Sequence, residues 1–189
     1  MKKLLWIVGL LLALPFLPSC NKDDDDKVNL NDYTAWKNKN EAWLQRMKDS
    51  VDTDGSPFYQ TVVPAWNTSA YILMHYFNNR EETKDNYVPL YTSVVDVRYI
   101  GYTCENVPFD SSTVENSYGK LGIRRFGVDQ VIQGWAIALM DMHVGDTCEI
   151  IVPYDIAYGS SFMGSILPYS NLRFNLRLED INKYVASPY

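Results

Sequence analysis

Residues able to carry covalent or metal chemistry are scarce in this chain. It has two histidines, His75 and His143, and three cysteines, too few for a structural Cys/His zinc site. Metal chemistry would therefore have to rest on carboxylates. The chain contains no Gly-x-Ser-x-Gly elbow, Walker loop, Gly-x-Gly-x-x-Gly turn or His-Glu-x-x-His helix. His143 stands near Gly145 at the end of a helical stretch, as a surface loop residue would. His75 falls within the apolar run from Tyr71 to Phe77, where a structural role is expected. Asp110, Asp129, Asp141 and Asp155 could serve acid/base chemistry if two of them converged in a cleft, which sequence alone does not decide. Cys104 and Cys148 are expected to be free thiols, with a bridge in an oxidising compartment as the alternative.

What stands out instead is a series of apolar and aromatic residues in turn-rich segments, where burial alone does not call for them. In order they are Val97-Arg98-Tyr99-Ile100-Gly101-Tyr102, Phe109-Asp110-Ser111-Ser112, Val131-Ile132-Gln133-Gly134-Trp135, Val144-Gly145-Asp146, Pro153-Tyr154-Asp155-Ile156-Ala157-Tyr158-Gly159, and Ile166-Leu167-Pro168 leading into Leu172-Arg173-Phe174. Trp135, Phe174 and Val131, taken singly, read as ordinary core, and Asp110 as a turn residue. Tyr158, between Ala and Gly, fits neither a helical nor a strand period.

The elements that must position these residues are mostly strands. Phe58 to Val63, Ala70 to Phe77, Val94 to Tyr102, Thr147 to Val152 and Leu172 to Leu178 are rich in β-branched or aromatic residues. In the last, Leu172, Phe174, Leu176 and Leu178 alternate with Arg173, Asn175, Arg177 and Glu179, as in a half-exposed antiparallel strand. One short helix is expected from Gln133 to Met142, giving an α+β arrangement with the helix on one face of the sheet. Upstream, residues 30 to 50 form an amphipathic helix with Tyr33, Trp36, Trp43, Leu44 and Met47 near one stripe and Asn31 or Asp32 as its cap. That stripe is expected to dock on the chain's own domain rather than serve as a glycan or partner platform. The turn cluster Asp52-Thr53-Asp54-Gly55-Ser56-Pro57 ends it.

Taken together, the six segments resemble the FKBP family of peptidyl-prolyl cis-trans isomerases over roughly residues 88 to 182. The resemblance implies a twisted antiparallel sheet of five or six strands wrapped around one short α-helix, with an apolar pocket between them. It also implies roles for single residues. Tyr99, Phe109 and Asp110 would wall the pocket, and Val131 and Ile132 would form its rim, with the Ile132 N–H donating to a bound peptide carbonyl. Trp135 would be the floor, Tyr158 a hydroxyl donor, Ile166 a flap residue and Phe174 the aromatic of the last strand; Phe126 would be a further wall. The implied partners are proline-containing polypeptides and FK506-like macrolides, and no cofactor is implied. Departures from the family pattern are Leu167 and Tyr169 in the flap and Arg124 and Arg125 where apolar side chains are frequent. A non-catalytic lipoprotein binding proline-containing peptides or glycans is the alternative.

The N-terminus carries a different message. Lys2 and Lys3 precede an apolar run of 14 residues from Leu4 to Leu17, shorter than the roughly 20 that cross a bilayer as a helix. Residues 1–19 read as a signal peptide, and Leu17-Pro18-Ser19-Cys20 resembles a bacterial lipobox with Cys20 as the lipidated residue. An ordinary secretory leader is the alternative. The acidic run Asp23 to Asp26 within residues 20–29 reads as a solvated tether and resembles the surface-export signal of Bacteroidetes-type lipoproteins. Outer-membrane anchoring at Cys20, on the periplasmic face or cell surface, is the expectation. The expected divisions thereafter are 30–57 for the helix and turn, 58–87 for leading strands and 88–184 for the isomerase domain. The formal net charge of −6 excludes the positive field that a phosphate-backbone binder needs, so no nucleic acid partner is expected.

Overall fold

Alternating Val95, Val97 and Tyr99 on one strand and Phe174, Leu176 and Leu178 on another, all buried, impose the period of two that closes one face of a sheet. The computed structural model describes residues 30–112 and 122–183. The expected signal peptide (1–19), Cys20 and tether (20–29) lie outside these.

Helix α1 (Leu30–Lys48) is followed by strands β1 (Gln60–Val62), β2 (Ile72–Tyr76), β3 (Val94–Thr103), β4 (Pro108–Ser111) and β5 (Arg124–Gly127). The short helix α2 (Gln133–Leu139) and strands β6 (Thr147–Val152) and β7 (Leu172–Lys183) complete the chain. The seven strands form one sheet in the order β1-β2-β6-β7-β3-β4, and β5 pairs with β3 as well; every pairing is antiparallel. The fold is thus the expected α+β sheet around a short helix, with seven strands in place of five or six. The increase has a physical cause. β3 is long enough that β5 pairs with Val94–Val97 and β4 with Ile100–Tyr102 along the same edge. Neither short strand carries an alternation long enough to stand out in sequence.

α2 packs on one face of the sheet over a core that includes Ile72, Met74, Val97, Ile150, Leu176 and Leu178. The approach is close at Gly134, where a Cβ would fall 2.3 Å from Val152 Cγ1; only glycine lets the helix sit there. Beyond α2, the fully buried Asp146 ties the following turn to residues 78–83. It accepts from Thr83 Oγ1 (2.5 Å), Asn78 Nδ2 (3.0 Å) and the His143 N–H (2.8 Å), and Arg80 Nε lies 3.4 Å away. Burial opposes its charge, but these donors outweigh that and hold its carboxyl below the ordinary carboxylate range.

α1 lies on the opposite face, where Trp43, Tyr59, Leu73 and Ile151 form a second, smaller buried cluster. Docking on its own domain is therefore what the aromatic stripe does. The junction is sealed by amides: the Asn171 N–H donates to Asn40 Oδ1 and Asn171 Nδ2 to the Asn40 carbonyl, each at 2.8 Å. Trp36 Nε1 adds a bond to Ser170 Oγ at 3.0 Å. Asn31 and Asp32 lie within the span of α1. Cys104 and Cys148 are free, since Cys104 packs beside the α1 cluster and Cys148 is buried in the α2 core.

Candidate active site

Between α2 and the curved sheet remains a cavity of about 240 Å³, lined by Tyr99, Phe109, Asp110, Phe126, Gln130, Val131, Ile132, Trp135, Tyr158 and Phe174. The side chains arrive from several separate pieces of backbone. Tyr99 comes from β3, Phe109 and Asp110 from β4, Phe126 from β5, Trp135 from the first turns of α2 and Phe174 from β7. Val131 and Ile132 occupy the extended link between the turn at Val128–Gln130 and α2. Tyr158 comes from the loop after β6, where the Gly159 N–H closes a turn on the Tyr154 carbonyl at 2.8 Å.

The indole of Trp135 organises the walls. Its ring meets Tyr99, Phe174 and Phe126 edge-to-face, with centroids 4.9, 5.3 and 5.7 Å apart and interplanar angles of 82°, 87° and 86°. This is the arrangement that aromatic quadrupoles favour. Phe109 meets Phe174 in the same way at 5.6 Å. Both of those rings close over Gly101, whose added Cβ would lie 2.7 Å from each. A side chain at that point of β3 would spread the two walls apart.

Polar groups in the cavity are few, and two of them, Tyr99 and Asp110, hold each other. The Tyr99 hydroxyl donates to Asp110 Oδ2 at 2.8 Å, while the Ser111 N–H donates to Asp110 Oδ1 at 2.8 Å. Burial, followed by the Asp110 hydrogen bond and charge, pushes the Tyr99 hydroxyl well above its ordinary value. Burial and the nearby Asp110 charge push Tyr158 up as well. Both hydroxyls, neutral at physiological pH in any case, thus stay protonated further into alkali. The Trp135 indole N–H is buried without a protein partner.

Eight of the nine residues expected around a pocket line this cavity, and the expected further wall Phe126 lines it too. Ile166 is the exception. It is 4% exposed and packs into the core, because reciprocal backbone bonds with Met163 (3.1 and 2.9 Å) form a tight turn that points it inward. Phe162, Met163 and Leu167 are left exposed on that turn. Gln130, at the end of the turn before Val131, also lines the cavity and carries no motif by which sequence reading could have singled it out.

Two of the departures in sequence, Tyr169 and Arg125, acquire partners. Tyr169 stacks edge-on with Tyr154 at 5.5 Å, and Lys37 of α1 lies 5.1 Å from its ring centroid. Arg125 forms a two-pronged pair with the buried Asp96 at 2.8 and 2.9 Å. His75 stacks on Phe58 at 4.0 Å. His143, expected on a surface loop, is half-buried, with its Nδ1 2.9 Å from Arg80 Nη2. Of the four aspartates considered for acid/base work, Asp110 alone lines the cavity, so no carboxylate pair converges there among the described residues.

A helix embraced by an antiparallel sheet, with an aromatic-walled slot at their junction, defines an FKBP-like protein, and sequence comparison agrees. The profile of the FKBP-type peptidyl-prolyl cis-trans isomerases matches residues 88–179. FK506-binding protein 1 of Saccharomyces cerevisiae is 34% identical over 90 residues, covering 47% of this chain and 76% of that protein. Outer membrane protein MIP of Legionella longbeachae is 39% identical over 93 residues, 49% of this chain and 38% of its own. A crystal structure of a peptidyl-prolyl cis-trans isomerase from Pseudomonas syringae pv. tomato superposes with a TM-score of 0.59 at 25% identity, covering 78% of this chain and 96% of that one. The chain belongs to the FKBP-type peptidyl-prolyl cis-trans isomerase family. It spans less than half the length of several of its curated relatives, 44% in the case of the 22 kDa isomerase of Escherichia coli.

Proposed function

We propose that this protein accelerates rotation about X-Pro peptide bonds in exported polypeptides. The observation that carries the reading is the convergence of Tyr99, Phe109, Trp135, Tyr158 and Phe174 on one slot. Amide resonance sets a barrier of about 18–20 kcal/mol to this rotation, and uncatalysed exchange takes tens to hundreds of seconds. No bond is made or broken, so the reaction asks for neither nucleophile nor cofactor. The planar amide is more charge-separated than the twisted one, and a dry aromatic slot therefore favours the twisted form. Proline sits on Trp135 between Tyr99, Phe109 and Phe174; the Tyr158 hydroxyl and the Ile132 N–H hold neighbouring carbonyls. Ile166 acts from beneath the flap, by packing.

The test is cis-to-trans exchange of a short X-Pro peptide with the full-length protein in mild detergent. Acceleration by the wild type that falls in folded Trp135→Ala and Tyr158→Phe variants is the expected result. A folded wild type without acceleration overturns the enzyme and leaves a proline-peptide-binding module. A glycan-binding role is less well supported, since Tyr99, Phe109, Trp135, Tyr158 and Phe174 gather in a slot instead of forming an exposed platform.

FK506-like macrolides are the proposed inhibitor class. The leader and lipobox support a lipoprotein anchored to the outer membrane through Cys20, and the name of the Legionella relative is in keeping with that address. Labelled palmitate should enter the wild type and not Cys20→Ser. In this reading residues 58–87 and 88–184 make the isomerase unit, with 30–57 as an N-terminal brace.

A further inference from the structure

A second cavity of about 570 Å³ adjoins the slot, lined by Trp66, Tyr91, Val131, Gln133, Ala136 and Met140. Val131 belongs to both cavities. Two large aromatics frame the second one while remaining half open to water, Trp66 at 55% exposure and Tyr91 at 53%. Neither hangs on a loose loop. Trp66 sits in a turn held by the Asn67 N–H on the Pro64 carbonyl (3.2 Å) and the Ala70 N–H on the Asn67 carbonyl (3.1 Å). Tyr91 sits in a turn held by the Ser93 N–H on the Leu90 carbonyl and by the Leu90 N–H on the buried Ser93 hydroxyl, each at 2.9 Å. Between them the floor is the apolar side of α2, Ala136 and Met140. Half-exposed aromatics carried on hydrogen-bonded turns over an apolar floor give up little backbone entropy when they take up an apolar side chain. Trp66 also lies outside residues 88–179 that match the family, so this wall comes from the chain's own leading segment.

We infer that this groove is an accessory subsite that takes a large apolar side chain, leucine or an aromatic, of the same polypeptide whose proline occupies the slot. Continuity through Val131 is the reason for that occupant. An extended chain advances at most about 3.3–3.6 Å per residue, so a residue within about four of the proline reaches across a single valine. The specificity would favour proline in apolar sequence, as exposed by incompletely folded chains, over proline in polar loops. The inference rests on the isomerase reading, and the test separates the two.

The full-length protein is assayed by exchange spectroscopy on two sets of peptides that share one X-Pro bond. One set carries leucine at a position two to four residues from the proline on either side, and the other carries serine throughout. In the wild type the better leucine peptide should exceed the serine peptide in kcat/KM by about tenfold, and Trp66→Ala and Tyr91→Ala should each bring that ratio below about threefold. A wild-type ratio near one overturns the subsite, as does a large ratio that neither substitution changes. Sedimentation of the wild type then tells whether a second copy fills the groove instead. Absence of acceleration on every peptide is a different outcome, since it overturns the isomerase reading beneath the inference.

Discussion

Each face of the sheet carries a helix, but α2 leaves an aromatic-walled slot beside it, whereas the patch beneath α1 is filled by side chains. α2 is seven residues long, lies close at Gly134 and cannot span the curved face it sits on, so the unfilled remainder is walled by rings from β3, β4, β5 and β7. α1 is 19 residues long and seals the patch around Leu73 and Ile151 with Trp43 and a pair of buried amides. Apolar enclosure with an unfilled volume favours a ligand, whereas hydrogen-bonded enclosure without one fixes a position. The faces meet in the loop between β6 and β7. There Asn171 is held by Asn40, its Oδ1 accepts the Tyr154 N–H at 2.8 Å, and Tyr158 reaches the slot from the same loop.

The largest break in the contrast is Trp135→Ala. Removing the ring that three others meet edge-on leaves a cavity beneath them, and should lower stability by about 3–5 kcal/mol in denaturant unfolding. Activity of the remaining folded protein should fall with it. Asn40→Ala comes next. It strips the acceptor from the buried Asn171 N–H, which costs about 1–3 kcal/mol, and kcat/KM should stay within about threefold of wild type if α1 only braces the sheet. A larger loss would show that the loop carrying Asn171 and Tyr158 transmits the change from one face to the other.

The same contrast explains which elements are legible in the sequence. β6 matches its expected span, Thr147 to Val152, residue for residue, and β7 begins as expected at Leu172, because β-branched and alternating apolar residues there answer to a buried face. β4 and β5 are not legible, since Pro108–Ser111 and Arg124–Gly127 are four residues each and owe their strand form to β3. Trp135, Tyr158 and Phe174 were legible through their order along the chain, a pattern that packing alone does not produce. That Ile166 faces the core and not the cavity is not legible, because a tight turn with Met163, invisible in composition, decides which way it faces. Trp66 gave no sign at all; its role depends on where a distant turn meets α2.

Tyr158→Phe is a smaller change that tests the slot's chemistry without its architecture. The hydroxyl has no load in the core, so stability should shift by less than about 0.5 kcal/mol. Loss of one hydrogen bond to a twisted amide should lower kcat/KM by about tenfold.

The smallest expected effect is that of pH, and its sign follows from the environment of the two hydroxyls. Burial and the Asp110 charge both disfavour the phenolates of Tyr99 and Tyr158, so each stays protonated to a higher pH in the folded protein than in the unfolded chain. The stability this contributes is complete below the unfolded value of about 10 and is lost as pH rises through the higher folded values. kcat/KM should therefore be level from pH 7 to about 10, with decline only in stronger alkali, where unfolding follows. A step in the profile near pH 8 or 9 that disappears in Tyr158→Phe would mean that the hydroxyl ionises in the slot, and that the neutral donor assigned to it is wrong.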